Sequence, residues 1–177
     1  DYGKEEKKEK NLHGKLIQRL LEKIEYFNRD SGLRSIVTNS ILPYPDGSGA
    51  VLGLKWLHGA VSEKVNMPAK AMEAAKIAGL RTFVIGAKEA EHQLAIENIL
   101  TIYKGIDLVG HMHGYHPREV MIDAAIKSKP QLVFLSLGTP LQESLASEMV
   151  QRGDNCLVVC GGGALDILSG TVKRAPK

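Results

Sequence analysis

Short apolar runs alternate along this chain with longer stretches in which apolar residues recur at helical spacing. From Leu12, the positions Leu16, Ile17, Leu20, Leu21, Ile24 and Phe27 predict an amphipathic helix to Asn28, broken by "RDSG". Five β-branched or apolar runs then read as strands: "SIVT" (35–38), "TFVIG" (82–86), "IDLVG" (106–110), "QLVFLSLG" (131–138) and "CLVVCG" (156–161). Helical patterns lie near 48–58, 68–78, 88–103, 117–128 and 141–152, joined to the strands by short turns. Strands that are apolar throughout, with helical crossovers, predict an α/β fold: a Rossmann-like, mainly parallel sheet with helices on both faces. One core over residues 12–177 is expected, behind a polar leader at 1–11 that opens "DYGKEEKKEK".

Composition narrows the classes of partner. A net charge of +3 over 177 residues suits an anionic small ligand and is too weak to argue for nucleic acid. An aromatic content of 5% leaves little from which to build base-stacking platforms. The cysteines, Cys156 and Cys160, share one apolar run; a strand holds them too far apart to bridge, which predicts two buried thiols in a reducing, cytoplasmic compartment. No apolar run reaches the length of a membrane-spanning helix, so membrane contact is expected to be peripheral. A homo-oligomer is compatible with the sequence.

In parallel sheets, ligands sit beyond the carboxyl ends of the strands, and polar motifs follow each predicted strand here. In "PDGSG" (45–49), Asp46 serves equally well as a turn and helix cap or as a site residue, with Gly47, Ser48 and Gly49 letting backbone amides approach an anion. "GSGAVLG" misses the dinucleotide fingerprint because Leu52 stands at its third glycine, which speaks against an oxidoreductase. "GHMHGYH" (110–116) spaces His111 and His113 as zinc ligands can be, yet no further ligand set accompanies them; sugar or phosphate contact, or plain loop polarity, fits better. In "LGTPLQE", Gln142 and Glu143 fall in a first helical turn, either as caps or as groups that recognise a sugar. "CGGGALDILSGTVKRAP" (160–176) is the most specific segment, with three glycines after a strand and Asp166 in a short helix.

Together "PDGSG", "GHMHGYH", "LGTPLQE" and "GGGALDILSGTVKRAP" resemble the WecG/TagA/CpsF glycosyltransferases over residues 35–176. The resemblance implies a Rossmann-like fold of its own class, termed GT-E. It implies an inverting transfer, without a required metal or other cofactor, of N-acetylmannosamine from a UDP-sugar donor. The implied acceptor is polyprenyl-diphosphate-linked N-acetylglucosamine at the inner face of the bacterial cytoplasmic membrane, on the way to teichoic acid or other surface polymers. Asp46 becomes the general base. Thr38 and Asn39, at the end of the first strand, line the same pocket. His113, Gly114, Tyr115, Gln142 and Glu143 contact substrate. Gly161, Gly162, Gly163 and Asp166 lie near the nucleotide, and Arg174 closes the core. Asn39 and Asp46 are seven positions apart where family members carry a helix and a further strand, so either an element is lost or the match of Thr38 and Asn39 is fortuitous. The chain also stops short of the basic tail into which members continue, which leaves a nucleotide-sugar binder without transferase activity as the competing expectation.

Overall fold

The computed structural model describes residues 28–42, 44, 55–56, 59, 66–152 and 155–172. Asp46, Gly47, Ser48, Gly49 and Arg174 lie outside the described residues, as do the helix expected from Leu12 up to its last residue and most of the one expected near 48–58. The chain divides into two compact units, Asp1–Val65 and Asn66–Lys177.

In the first unit, the expected strand at 35–38 is instead the end of a helix, α1 (Ser31–Thr38). Local chemistry decides this against the β-branched run. The Asp30 carboxylate accepts from Leu33 N at 2.9 Å and caps the first turn, and Thr38 Oγ1 turns back onto the carbonyl of Arg34 at 2.8 Å. Leu33 is the helix's buried residue.

The second unit runs α2 (Met67–Ala78), β1 (Thr82–Gly86), α3 (Glu89–Ile102), β2 (Leu108–Met112), α4 (Arg118–Ser128), β3 (Leu132–Ser136), α5 (Leu141–Gln151), β4 (Leu157–Cys160) and α6 (Ala164–Leu168). The four strands pair in parallel in the order β2-β1-β3-β4. Alternation along the strands divides the core. Val84, Leu132 and Phe134 face α2, α3 and α6 through Met72, Ala75, Ile96, Ile99 and Leu165. Phe83, Ile85, Val133 and Leu135 face α4 and α5 through Met121, Ile122, Leu145 and Met149. Both faces of β1 and β3 are therefore covered, which is why these strands read as unbroken apolar runs.

The helix ends follow the sequence closely. Asn66 caps α2, whose exit is Gly79 at φ 62°. Arg81 donates from its guanidinium to the carbonyls of Lys129 and Ser128, at 3.1 and 2.6 Å, and so closes the end of α4. Glu89 and Glu91 occupy the first turn of α3, where its dipole favours negative charge. On the other face, Arg118 joins α4 to α5 by pairing with Glu148 at 2.5 Å.

Strand β2 departs from its expected place by two residues. Asp107 still belongs to the approach, its carbonyl accepting from Thr82 N at 2.7 Å, and the strand runs on through His111 to Met112. Gly110 does not end the strand; it makes room inside it. A Cβ there would lie 2.5 Å from the Phe83 ring. Cys156 and Cys160, expected to be buried, are half-buried, because β4 is an end strand of the described sheet.

Candidate functional site

Strand order 2-1-3-4 means that the connections leave β1 and β3 in opposite directions, which opens a crevice at their carboxyl ends. The polar motifs of the second unit converge on this edge. Gly86 and Ala87 end β1, and their loop is tied to its neighbours: Ala87 N donates to the Ser136 carbonyl at 3.2 Å, and Gly114 N donates to the Ala87 carbonyl at 2.8 Å. A Cβ at Gly114 would lie 2.4 Å from Leu137 Cδ2 and 3.3 Å from the Ala87 carbonyl oxygen, so a side chain there would require Leu137 to move. Beside it Tyr115 is 70% exposed, its backbone N–H donating to His113 Nδ1 at 3.2 Å. His113 and His116 stack with ring centroids 3.9 Å apart.

The triple-glycine turn is fastened on both sides. Ser136 Oγ donates to the Gly162 carbonyl at 2.6 Å and accepts from Leu165 N at 3.0 Å. Gln142, only 5% exposed, accepts through Oε1 from Gly162 N at 3.0 Å. Each glycine has its own reason. A Cβ at Gly161 would strike the Phe134 ring at 2.5 Å, whereas Gly162 has open space around it but needs φ 58°. Gly163 is the N-cap of α6 and meets only an ordinary contact with Asp166 Oδ2.

Gln142 also donates through Nε2 to Glu143 Oε1 at 2.9 Å, and that oxygen accepts from Thr139 Oγ1 at 3.0 Å. Glu143 Oε2 is buried and takes no hydrogen bond from the described residues. A buried carboxyl oxygen without a donor costs about 1–3 kcal/mol, so a donor supplied to this oxygen would be favourable. Burial first, and then the charge of Glu143, pushes the Cys160 thiol up to about 12, which keeps it protonated and unsuited to nucleophilic attack.

Asp166 is held above its ordinary value by burial and by Glu91, with Lys88 opposing. Because the fold disfavours its ionised form, the penalty is absent below the unfolded value of 3.8 and sets in as pH rises from there through the higher folded value. Asp166→Asn is therefore expected to raise the thermal midpoint at neutral pH, with the gain vanishing toward about pH 4. Melting curves at the two pH values check this.

"GAKEAEH" (86–92), which ends in His92, is one of the motifs that follow a predicted strand, but the sequence assigns His92 no role, since a histidine in a helical pattern gives no specific signal until its neighbours are known. It is 4% exposed in the first turns of α3. Its Nδ1 lies 2.8 Å from the Gly86 carbonyl oxygen and its Nε2 lies 3.0 Å from His111 Nδ1. Burial lowers its pKa below 6.5; the Gly86 carbonyl opposes this, and His111, His113 and His116 add to it. The unfolded chain then takes up the proton first. The stability His92 contributes is full above pH 6.5 and is lost as pH falls through the lower folded value. Denaturant midpoints are expected to decline below that pH, and His92→Gln is expected to flatten the decline.

Thr38 and Asn39, in the first unit, are both exposed and bonded locally: Thr38 to its own helix, and Asn39 through Nδ2 to Ser35 Oγ at 3.2 Å. They stand at the end of a helix, not of a strand, which removes the local geometry on which their expected placement relied.

The second unit is thus a Rossmann-like α/β protein, with a clamped glycine turn and a buried carboxyl oxygen that takes no hydrogen bond from the described residues at the carboxyl edge of its sheet. The sequence pattern of the Glycosyl transferase WecG/TagA/CpsF family matches residues 20–177, and the chain belongs to that family. It is 30% identical to an N-acetylglucosaminyldiphosphoundecaprenol N-acetyl-beta-D-mannosaminyltransferase of Bacillus spizizenii, over 80% of this chain and 57% of the relative. It is 25% identical to the protein of the same name from Bacillus subtilis, over 84% of this chain and 59% of the relative. A UDP-Gal:alpha-D-GlcNAc-diphosphoundecaprenol beta-1,4-galactosyltransferase of Shigella boydii is 33% identical over 45% of this chain and 35% of the relative. The chain thus spans somewhat over half the length of the two mannosaminyltransferases it matches.

Proposed function

We propose that this chain acts as an inverting glycosyltransferase that moves N-acetylmannosamine from a UDP-sugar to polyprenyl-diphosphate-linked N-acetylglucosamine. The observation that carries the reading is the Gln142–Gly162 clamp beside Glu143 Oε2, a buried acceptor that takes no hydrogen bond from the described residues, in a chain of this family. A carboxylate acceptor suits the hydroxyls and amide N–H of an acetamido sugar. The mannosaminyl relatives by name act on the same lipid-linked acceptor, and the galactosyl relative shows that the donor sugar varies around it.

In the proposed reaction the acceptor hydroxyl oxygen bonds to the anomeric carbon as the bond from that carbon to the UDP oxygen breaks. UDP leaves with the electron pair, and Asp46 takes the hydroxyl proton as general base. Gln142 and Glu143 hold the sugar; the glycine turn and Asp166 lie against the nucleotide. We assign no metal to the reaction, since the sequence contains no Asp-x-Asp pair of the kind that commonly holds a divalent ion on a nucleotide diphosphate. Transfer is expected to be unchanged by excess EDTA; loss of activity restored by magnesium would overturn that assignment.

The acceptor's lipid implies work at a membrane surface, in cell-wall or surface polysaccharide synthesis. Among the described residues no helix is long and apolar enough to cross a membrane, so contact through the surface of the protein is proposed. Calorimetric titration with UDP, followed by an assay of transfer to a short-chain polyprenyl-diphosphate N-acetylglucosamine, tests the reading. Binding with transfer is expected. Binding without transfer supports the second reading, a nucleotide-sugar binder, which the helix in place of the first strand favours. Neither binding nor transfer refutes both.

A further inference from the structure

The buried histidine of α3 has a consequence at the end of β2. A carbonyl oxygen can only accept, so the 2.8 Å contact with Gly86 places the hydrogen of His92 on Nδ1. A neutral ring then carries its lone pair at Nε2, and that atom faces His111 Nδ1 at 3.0 Å. His111 must donate there, which leaves its own Nε2 as a lone pair. His111 is exposed at the carboxyl end of β2, where it pairs in register with Val84 of β1. No described residue takes its Nε2 in a hydrogen bond. One chain of three groups, carbonyl to buried ring to exposed ring, thus fixes the tautomer of a surface histidine.

Two residues further on, the opposite tautomer is set. The Tyr115 backbone N–H donates to His113 Nδ1 at 3.2 Å, so a neutral His113 carries its hydrogen on Nε2. The end of β2 and the loop after it therefore show an acceptor at His111 and a donor at His113. An unconstrained surface imidazole populates both tautomers and changes role freely.

We propose that His111 Nε2 accepts a hydrogen bond from a hydroxyl or N–H group of the bound nucleotide sugar, and that His92 is the positioning residue that holds His111 in the accepting tautomer. This rests on the nucleotide-sugar reading given above. A phosphate oxygen has no hydrogen to give at neutral pH and is repelled by a lone pair, so the diphosphate is the part of the ligand this atom does not meet. The donor group belongs either to the sugar, as a hydroxyl or acetamido N–H, or to the uridine, as the uracil imide or a ribose hydroxyl.

Nitrogen-15 imidazole spectra of the full chain read the tautomer directly. His111 is expected to be protonated at Nδ1 in the parent and in His92→Gln, whose amide can still donate to Gly86 and accept from His111. In His92→Phe the preference is expected to disappear. Calorimetry with UDP and with UDP-N-acetylmannosamine then reads the function. His111→Phe and His92→Phe are expected to weaken binding by about 3- to 10-fold, the loss of one ordinary hydrogen bond, with affinity retained in His92→Gln. Loss for both ligands places the donor group on the uridine; loss for the UDP-sugar alone places it on the sugar. Should His92→Phe fail to fold, His111→Phe, at an exposed position, and His92→Gln carry the comparison. The proposal is overturned if the parent His111 is protonated at Nε2, or if His111→Phe binds both ligands as the parent does. A parent that binds neither ligand refutes the nucleotide-sugar reading and the ligand role with it, while the spectra still report whether the two rings are paired as described.

Discussion

Asp46→Asn is expected to slow sugar transfer by about 10²–10⁴-fold, the usual contribution of a general base, while leaving the folded state nearly as stable as before. The substitution separates the two readings of "PDGSG" cleanly. Asparagine caps a helix and occupies a turn about as well as aspartate does, so a purely structural Asp46 would tolerate it. What asparagine cannot do is take a proton from the attacking hydroxyl. Single-turnover rates with a saturating UDP-sugar, set beside a thermal melt, make the measurement. A variant that transfers sugar at the parent rate would reduce Asp46 to a cap and move the base elsewhere in the chain.

Gly86→Ala is expected to destabilise the second unit strongly. Gly86 is the last residue of β1, at φ 146°, and a Cβ there would lie 2.2 Å from the Ser136 carbonyl oxygen and 2.6 Å from its carbonyl carbon. Both are backbone atoms of the neighbouring β3, so no side chain can swing aside. Overpacking costs roughly 1–3 kcal/mol and a disfavoured backbone conformation about as much again. Domains of this size have about 5–15 kcal/mol in total. The same carbonyl of Gly86 anchors His92, and the same Ser136 holds the glycine turn, so separating β1 from β3 also disturbs the ligand edge. A fall in the denaturant midpoint, with UDP affinity lost in step, is expected. Parent-like stability would mean that the two strands are less closely pinned than their geometry implies.

The second unit was largely legible before its structure was seen. The runs at 82–86, 131–138 and 156–161 became β1, β3 and β4, and the helices at 68–78, 88–103, 117–128 and 141–152 became α2 to α5 with ends moved by one or two residues. Strands covered on both faces and helices covered on one leave strong, different periodicities, so burial writes these elements into the sequence. Where burial is weak, the reading failed. "SIVT" has the composition of a strand, yet the cap at Asp30 and the back-bonded Thr38 make it helical. Gly110 looked like a strand end because nothing local shows the Phe83 ring that lies across it.

By itself, then, the sequence determined the α/β class, the parallel sheet, the motifs that follow its strands and the family to which they point, because each depends on residues close together in the chain. Only the tertiary structure decided which glycines are set by packing and which by backbone angle, that Gln142 reaches Gly162 twenty residues away, that Glu143 buries an oxygen to which no described residue donates, and that His92 sets the tautomer of His111. Those features depend on distances between elements that are remote in sequence, and such distances do not exist until the sheet has brought its carboxyl ends together.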